Sequence, residues 1–108
     1  MRTLVFKVEG QNITPNSLFE TSGLVAGTVG YVKVKFLFSD DWKKCAKVVS
    51  FEAVGGEECE PQLLDREGSC YIPTKALEYH EFEIKVFGKG ENTKITTRPI
   101  RIKQFGGK

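Results

Sequence analysis

The sequence predicts an all-β protein built as an antiparallel β-sandwich, and three observations lead to this prediction. Apolar and polar residues alternate with a period of two, most clearly at residues 31–38 and 81–87. Glycine, proline and acidic residues separate such segments at short intervals, and no segment has a convincing helical period. Successive side chains of a strand point to opposite faces, so these segments fit strands with one buried and one wet face.

The first strand is predicted at residues 3–8, where Leu4, Phe6 and Val8 share one face. A turn follows at 9–12. Residues 13–30 contain Pro15 and several glycines, and we expect them to cross one end of the sandwich irregularly. Four apolar residues are expected to attach this crossing to the core, namely Leu18, Phe19, Leu24 and Val25.

The second strand is predicted at residues 29–38, and its alternation is the clearest of any central strand in the chain. The polar residues that follow favour a turn or one helical turn, with Trp42 folded back as a lid or exposed to a partner. A third strand is predicted at 46–53. It ends in a hairpin turn at Gly55 and Gly56.

The second half of the chain contains four further predicted strands. Residues 57–64 contain Pro61 and fit an edge strand, and residues 69–72 form a short strand that Pro73 ends. One helical turn is expected before the strand at 81–87. The last strand is predicted at 93–103, with an edge or a bulge at Pro99.

The spacing of these strands fits an immunoglobulin-like sandwich of about seven or eight strands better than a small closed barrel. The chain of 108 residues has room for one domain. We therefore expect a single domain at residues 1–104 and a flexible carboxyl-terminal tail at 105–108.

The net charge of +2 conceals an uneven distribution along the chain. Residues 51–70 hold six acids against one arginine, whereas 31–50 hold five lysines against two aspartates and 91–108 hold five basic residues against one glutamate. These charges either pair between strands of one molecule or steer copies of the protein head to tail.

The small net charge gives no electrostatic reason to expect nucleic-acid binding. No apolar stretch has the length of a membrane span or signal peptide, so we expect no membrane association.

The sequence contains no recognisable catalytic, metal or cofactor motif. The three cysteines, Cys45, Cys59 and Cys70, lie too far apart in sequence for a zinc knuckle with His80. Cys59 and Cys70 flank a turn, so two alternatives remain for them: a disulfide between the two residues, or free, half-buried thiols. His80 has no evident nucleophile to activate, and we therefore expect no enzymatic activity.

Aromatic and basic residues are the remaining candidates for contacts with a partner. Tyr31, Trp42, Tyr71 and Tyr79 are of the type enriched at interfaces, although Trp42 equally fits core packing. The edges at 57–64 and 93–103 are candidates for main-chain pairing, with Arg98 and Arg101 setting the orientation. On this hypothesis, replacing both arginines with glutamate weakens assembly.

Core and turn motifs spread over nearly the whole chain carry a resemblance to known proteins. The segments are Gly-Thr-Val-Gly-Tyr at 27–31, Phe-Leu-Phe-Ser-Asp-Asp-Trp at 36–42, Lys-Val-Val-Ser-Phe at 47–51, Ile-Pro at 72–73, Phe-Glu-Ile-Lys-Val at 82–86 and Thr-Lys-Ile-Thr-Thr at 93–97. With these motifs the chain resembles small proteins encoded by bacteriophages and prophages of Gram-positive bacteria. It is also distantly similar to the immunoglobulin-like amino-terminal domain of phage baseplate upper proteins.

This resemblance implies a non-enzymatic structural or accessory protein of a phage tail or baseplate. Its partners are then other phage or host proteins, with homo-oligomers a further option, in the host cytoplasm during infection or in the virion. Because the sequence has no stalk or receptor-binding region after residue 108, we do not expect receptor binding. A small inhibitor of a host defence protein or its signalling ligand is the alternative, and a carbohydrate-binding module is a weaker one.

Overall fold

The computed structural model describes residues 1–16 and 22–108, and its architecture is an all-β sandwich of two packed sheets. The strands are, in chain order, β1 (Arg2–Glu9), β2 (Asn12–Pro15), β3 (Leu24–Val25), β4 (Val32–Phe38), β5 (Ala46–Ala53), β6 (Glu57–Glu58), β7 (Gln62–Leu63), β8 (Ser69–Tyr71), β9 (Glu81–Lys89), β10 (Lys94–Thr96) and β11 (Ile100–Phe105). A short 3-10 helix covers Asp40–Trp42, and a single turn of helix, α1, covers Thr74–Leu77.

The smaller sheet has the order β2-β1-β4-β8, and the larger sheet has the order β3-β11-β9-β5-β6. In the larger sheet β10 also pairs with β9, and β7 also pairs with β5. Two pairs, β1 with β4 and β11 with β3, are parallel. The predicted all-β sandwich is confirmed, and these two pairs differ from the antiparallel pairing of the other strands because β4 runs beside β1, and β11 beside β3, in the same direction.

The core lies between the sheets and is formed by the alternate residues that the pattern predicted. Leu4, Phe6 and Val8 of β1 are fully buried. The rings of Phe6 and Phe36 stack with centroids 5.9 Å apart, and Phe51 meets Phe82 across the larger sheet at 6.4 Å. Each such aromatic side chain contributes about 1.5–3 kcal/mol when it is removed from water, so these alternating rows account for the packing of the two layers.

Most strand predictions are confirmed, and the differences occur where the backbone is irregular. The strand at 46–53 has the predicted bounds. The strands at 57–64 and 93–103 are each split in two, at Pro61 and at Pro99. The 13–30 crossing contains β2 and β3, which the irregular sequence did not predict. Within it Leu24 is buried, but Val25 is 59% exposed and does not join the core. Leu18 and Phe19 lie outside the described residues.

The carboxyl terminus is hydrogen-bonded to the domain at 105–108, where the sequence analysis predicted a flexible tail. Phe105 belongs to β11. The backbone N–H of Lys108 donates to the oxygen of Glu78 at 2.9 Å, and the N–H of His80 donates to the oxygen of Lys108 at 3.1 Å. Gly107 allows the close approach, because a Cβ there would lie 2.8 Å from the oxygen of Glu78. The glycine pair that suggested fraying thus lets the chain pack beside α1.

Candidate interaction surface

The outer face of the larger sheet carries an acidic row at one end. Glu52 of β5 lies directly opposite Glu83 of β9 on one side and opposite Glu58 of β6 on the other. The hydrophobic alternation of β5 and β9 buries Phe51, Ala53, Phe82 and Ile84, which forces these glutamates outward. Like charges directly opposite each other on neighbouring strands are destabilising, so this row is an unfavourable arrangement in the isolated chain.

Arg101 of β11 partly neutralises the acidic row. Its Nη2 lies 3.1 Å from Oε1 of Glu83, and its Nε lies 3.6 Å from Oε2 of Glu81. The hydrogen bond that Nη2 of Arg101 donates to the Glu83 carboxylate raises the pKa of the guanidinium. In the described part of the chain, no cation forms an ion pair with Glu52 or Glu58. Two carboxylates of the row therefore have no direct ion pair, although Lys85 lies nearby on the same face.

The opposite end of the same face is basic. Lys89 of β9 lies directly opposite Lys94 of β10, so a second like-charge pair faces solvent. Lys89 also lies opposite Ala46 of β5, which offers it no counter-charge. Neither lysine forms a salt bridge with any residue that the structure describes. Glu83 and Lys89 are six residues apart along β9, so the acidic and basic rows are separated by about 20 Å.

The outer face between the two charged rows holds the pair of Ser50 and Lys85 next to the acidic row, and apolar side chains beyond it. Val48 of β5 lies opposite Phe87 of β9 on one side and opposite Leu63 of β7 on the other. Leu63 is 77% exposed and Phe87 is 37% exposed. A groove of about 300 Å³, whose walls include Pro61, Lys85 and Phe87, runs beside this band. We call Val48, Leu63 and Phe87 the apolar band, and this band with its two charged rows is the candidate interaction surface.

The predicted edges of the larger sheet are only partly open to a further strand. The 57–64 segment is the outermost strand, as predicted, and Pro61 interrupts it between β6 and β7. On the other side, the Gln11 side chain donates to the oxygen of Thr96 at 3.1 Å, and the Arg98 N–H donates to the oxygen of Gln11 at 2.8 Å. The hypothesis of free main-chain pairing along 93–103 is therefore wrong at Thr96 and Arg98, because the β1–β2 turn already uses these groups.

Trp42 belongs to the core and cannot form a surface for a partner. It is fully buried, its Nε1 donates to the oxygen of Gly10 at 2.9 Å, and its ring centroid lies 5.3 Å from that of Phe38. Trp42 therefore packs in the core, as one of its two predicted roles required, and is not available for contact with a partner. The physical reason is that Gly88 has no side chain, which leaves space for the indole against β9.

The structure does not bring the three tyrosines together into one platform with Trp42. Tyr31 and Tyr71 are about half exposed at the smaller sheet, where Lys33 Nζ lies 5.0 Å from the Tyr71 ring centroid. Tyr79 follows α1 and lies under Lys108, whose Nζ is 5.9 Å from its ring centroid. Because Trp42 is buried, the described geometry offers no four-residue aromatic surface for a sugar.

Cys45, Cys59 and Cys70 form no disulfide in the described structure, so the possible bond between Cys59 and Cys70 is absent. Cys70 lies on β8 of the smaller sheet, whereas Cys59 directly follows β6 of the larger one. The 65–68 turn thus connects the two sheets rather than two strands of a hairpin. Burial raises the pKa of the Cys70 thiol to about 12. Among the described residues no group of three or more cysteine, histidine or acidic side chains is placed to hold a metal ion.

No protein-family model matches this chain, and no curated protein matches its sequence. The helices formed by the described residues are too short and too polar to cross a bilayer.

Proposed function

We propose that the protein is a non-enzymatic protein–protein interaction module that binds through the candidate interaction surface. The observation that carries this proposal is the apolar band on a sheet face that has a partly compensated acidic row at one end and the like-charge pair of Lys89 and Lys94 at the other. A partner that covers this face removes Leu63 and Phe87 from water, and its own charges relieve both repulsive rows.

The resemblance to phage proteins supports a more specific assignment of the assembly. We place the module among the structural or accessory proteins of a phage tail or baseplate, made in the host cytoplasm and joined to other phage proteins. An adaptor of this kind needs a rigid scaffold and a surface of fixed shape rather than a deep pocket. The flat sheet face meets that need, because β5 and β9 hold each outward side chain in a fixed register.

The test is a pull-down from phage-infected bacterial lysate in which three tagged baits are compared by quantitative mass spectrometry. The baits are the wild type, the double variant Leu63→Ser with Phe87→Ser, and the control Leu37→Ser. Leu37 is 42% exposed on β4 of the smaller sheet, so the control removes a comparable exposed apolar side chain from the opposite face.

The proposal predicts that tail or baseplate proteins are captured by the wild type and by the control but not by the double variant. Capture of the same proteins by the double variant would show that another surface binds. Recovery of one host protein in stoichiometric amount, without any virion protein, would instead identify the chain as an inhibitor of a host function and overturn the tail assignment.

A further inference from the structure

We infer that a cleft at one edge of the sandwich binds a small organic acid with a flat apolar body. The cleft has a volume of about 360 Å³ and lies between β4 of the smaller sheet and the start of β5 of the larger one. The segment that follows β7 covers it on its way from one sheet to the other. The volume is in the range of small-ligand sites, and none of the lining residues belongs to the candidate interaction surface.

The inner wall of the cleft is apolar. Phe36 and Phe38 line it from the inward-facing positions of β4, and Leu64 packs partly buried against the core beside them. The ring centroids of Phe36 and Phe38 lie 6.0 Å apart, and the Phe38 ring lies 5.3 Å from that of Trp42. Phe38 is only partly buried, so a flat apolar group placed in the cleft gains contact with the edge of this aromatic series.

Lys47 places a positive charge inside the cleft. It occupies an inward-facing position of β5, in line with the buried Val49 and Phe51, and it is itself partly buried. Its Nζ lies 5.2 Å from the centroid of the Phe38 ring and donates to the oxygen of Cys45 at 3.1 Å. An ammonium group has three donors, and no carboxylate of the described residues forms an ion pair with Lys47. Two of its donors are therefore available to an anionic ligand.

The main chain of β4 offers a further donor at the same edge. The N–H of Ser39 donates to β1, so the N–H of Phe38 faces the other side of the strand. On that side the N–H of Phe36 donates to the oxygen of Gly68 at 2.9 Å, and β8 does not extend as far as Phe38. In the part of the chain that the structure describes, no backbone oxygen accepts from the N–H of Phe38. This donor and the ammonium of Lys47 both favour a carboxylate.

The acidic residues that line the cleft leave these donors unused. Oδ1 of Asp65 accepts the N–H groups of Glu67 and Ser69, each at 2.9 Å, so this carboxylate is held by its own turn. Glu67 is exposed, and among the described residues it forms no ion pair with Lys47 or with the neighbouring Arg66. Arg66 also lines the cleft and adds a second cation. An aromatic carboxylate matches this combination of two cations and an apolar wall.

The test is a titration of the ¹⁵N-labelled whole chain with 2-naphthoate, followed by amide chemical shifts. 2-Naphthamide is the matched neutral probe, because it has the same rings and nearly the same shape without the charge. Lys47→Met is the matched variant, because it keeps an unbranched apolar side chain and removes the ammonium. Lys103→Met is the control, because it removes one positive charge from an exposed position on β11, two strands away from β5.

The inference predicts that 2-naphthoate binds with a dissociation constant of roughly 0.1–1 mM and shifts the amides of Phe38, Lys47 and Leu64. 2-Naphthamide is expected to bind at least about fivefold more weakly, because it lacks the charge that Lys47 recognises. Lys47→Met should weaken the binding of 2-naphthoate about fivefold and leave that of 2-naphthamide unchanged. Lys103→Met should bind both probes like wild type.

The absence of shifts around the cleft at about 5 mM 2-naphthoate overturns the inference. Equal affinity of the wild type for the acid and the amide also overturns it, and this comparison does not depend on the folding of any variant. So does an unchanged affinity of Lys47→Met for 2-naphthoate, or an equal loss in Lys103→Met. None of these outcomes bears on the proposed function, which is tested at Leu63 and Phe87.

Discussion

Replacement of Gly88 by alanine tests how the single tryptophan is held in the core. A Cβ at position 88 would lie 2.6 Å from Cζ3 and 2.7 Å from Cε3 of Trp42, and 3.2 Å from Cβ of Cys45. Ordinary contacts of this kind begin at 3.4 Å, so the indole or β9 must move by about 1 Å. The indole has little freedom to move, because its Nε1 is bonded to Gly10 and its ring lies against Phe38.

Overpacking of this kind costs about 1–3 kcal/mol. For a domain of this size each kcal/mol corresponds to about 4 °C, so we expect Gly88→Ala to lower the Tm by roughly 4–12 °C. Gly90→Ala is the matched control. Its Cβ would meet only the oxygen of Lys44 at 3.6 Å, Sγ of Cys45 at 3.7 Å and Cβ of Thr93 at 3.8 Å, so its stability should stay within about 0.5 kcal/mol of wild type.

The Tm is measured by thermal unfolding and the free energy of unfolding by guanidinium unfolding, both followed by far-ultraviolet circular dichroism, which also serves variants that lack Trp42. Trp42→Phe removes the ring atoms nearest to Gly88, so it should cost less in the Gly88→Ala background than in wild type, by a coupling energy of about 0.5–3 kcal/mol. A Gly88→Ala protein as stable as wild type, or strictly additive effects of the two changes, would refute the close packing of Trp42 on β9.

Three further predictions concern titration and the chain terminus. Burial raises the pKa of the Cys70 thiol to about 12, so above about pH 9 the thiol is protonated in the folded state and ionised in the unfolded chain. Wild type should therefore lose stability from about pH 9 upward more steeply than Cys70→Ala, as measured by urea unfolding. The N–H groups of Ser69 and Glu67 each donate to Oδ1 of Asp65 at 2.9 Å and lower its pKa; the stability lost in Asp65→Ala should be fully present above about pH 4, and it should vanish as the pH falls through the lowered pKa. Deletion of residues 107–108 removes two backbone hydrogen bonds to the segment after α1 and should destabilise the domain by about 1–2 kcal/mol in thermal unfolding, whereas an unchanged Tm would contradict the bound terminus.

Much of the fold could be predicted because burial imposes a short repeat on the sequence. In β5 the period-two spacing of Val49 and Phe51, which are buried, against the outward-facing Val48, Ser50 and Glu52 predicts both the bounds and the buried face of the strand. Core packing of Trp42 was one of two roles that the sequence predicts for it. A large aromatic residue that follows a strand and lies beside short polar residues can fold back over the core.

The missed features depend on contacts between residues distant in sequence. β2 has only one buried residue, Ile13, so no alternating pattern marks it. The parallel pairing of β1 with β4 depends on the path of the intervening crossing, which no local pattern encodes. The last residues were predicted as frayed because glycine is flexible in isolation, yet Gly107 is what allows Lys108 to bond beside Glu78.

The candidate interaction surface could also be predicted only in part, because some of its features follow from local pattern and others from the pairing of strands. Alternation within β5 and β9 predicts that Glu52 and Glu83 face solvent, and the segment charges predicted acidic and basic regions. Their alignment into one repulsive row needs the register between β5 and β9, which only the structure supplies. Arg101 was predicted to orient a partner, but its pairing with Glu81 and Glu83 shows that this charge is compensated within the chain.

The most direct test of the central claim, that the outer face of the larger sheet is the binding surface, is the comparison of the Leu63→Ser/Phe87→Ser bait with the Leu37→Ser bait in the pull-down. The account predicts that the proteins captured by the wild type are lost with the double variant and retained with Leu37→Ser. Equal capture by the double variant, or the same loss with Leu37→Ser, would contradict binding through this face.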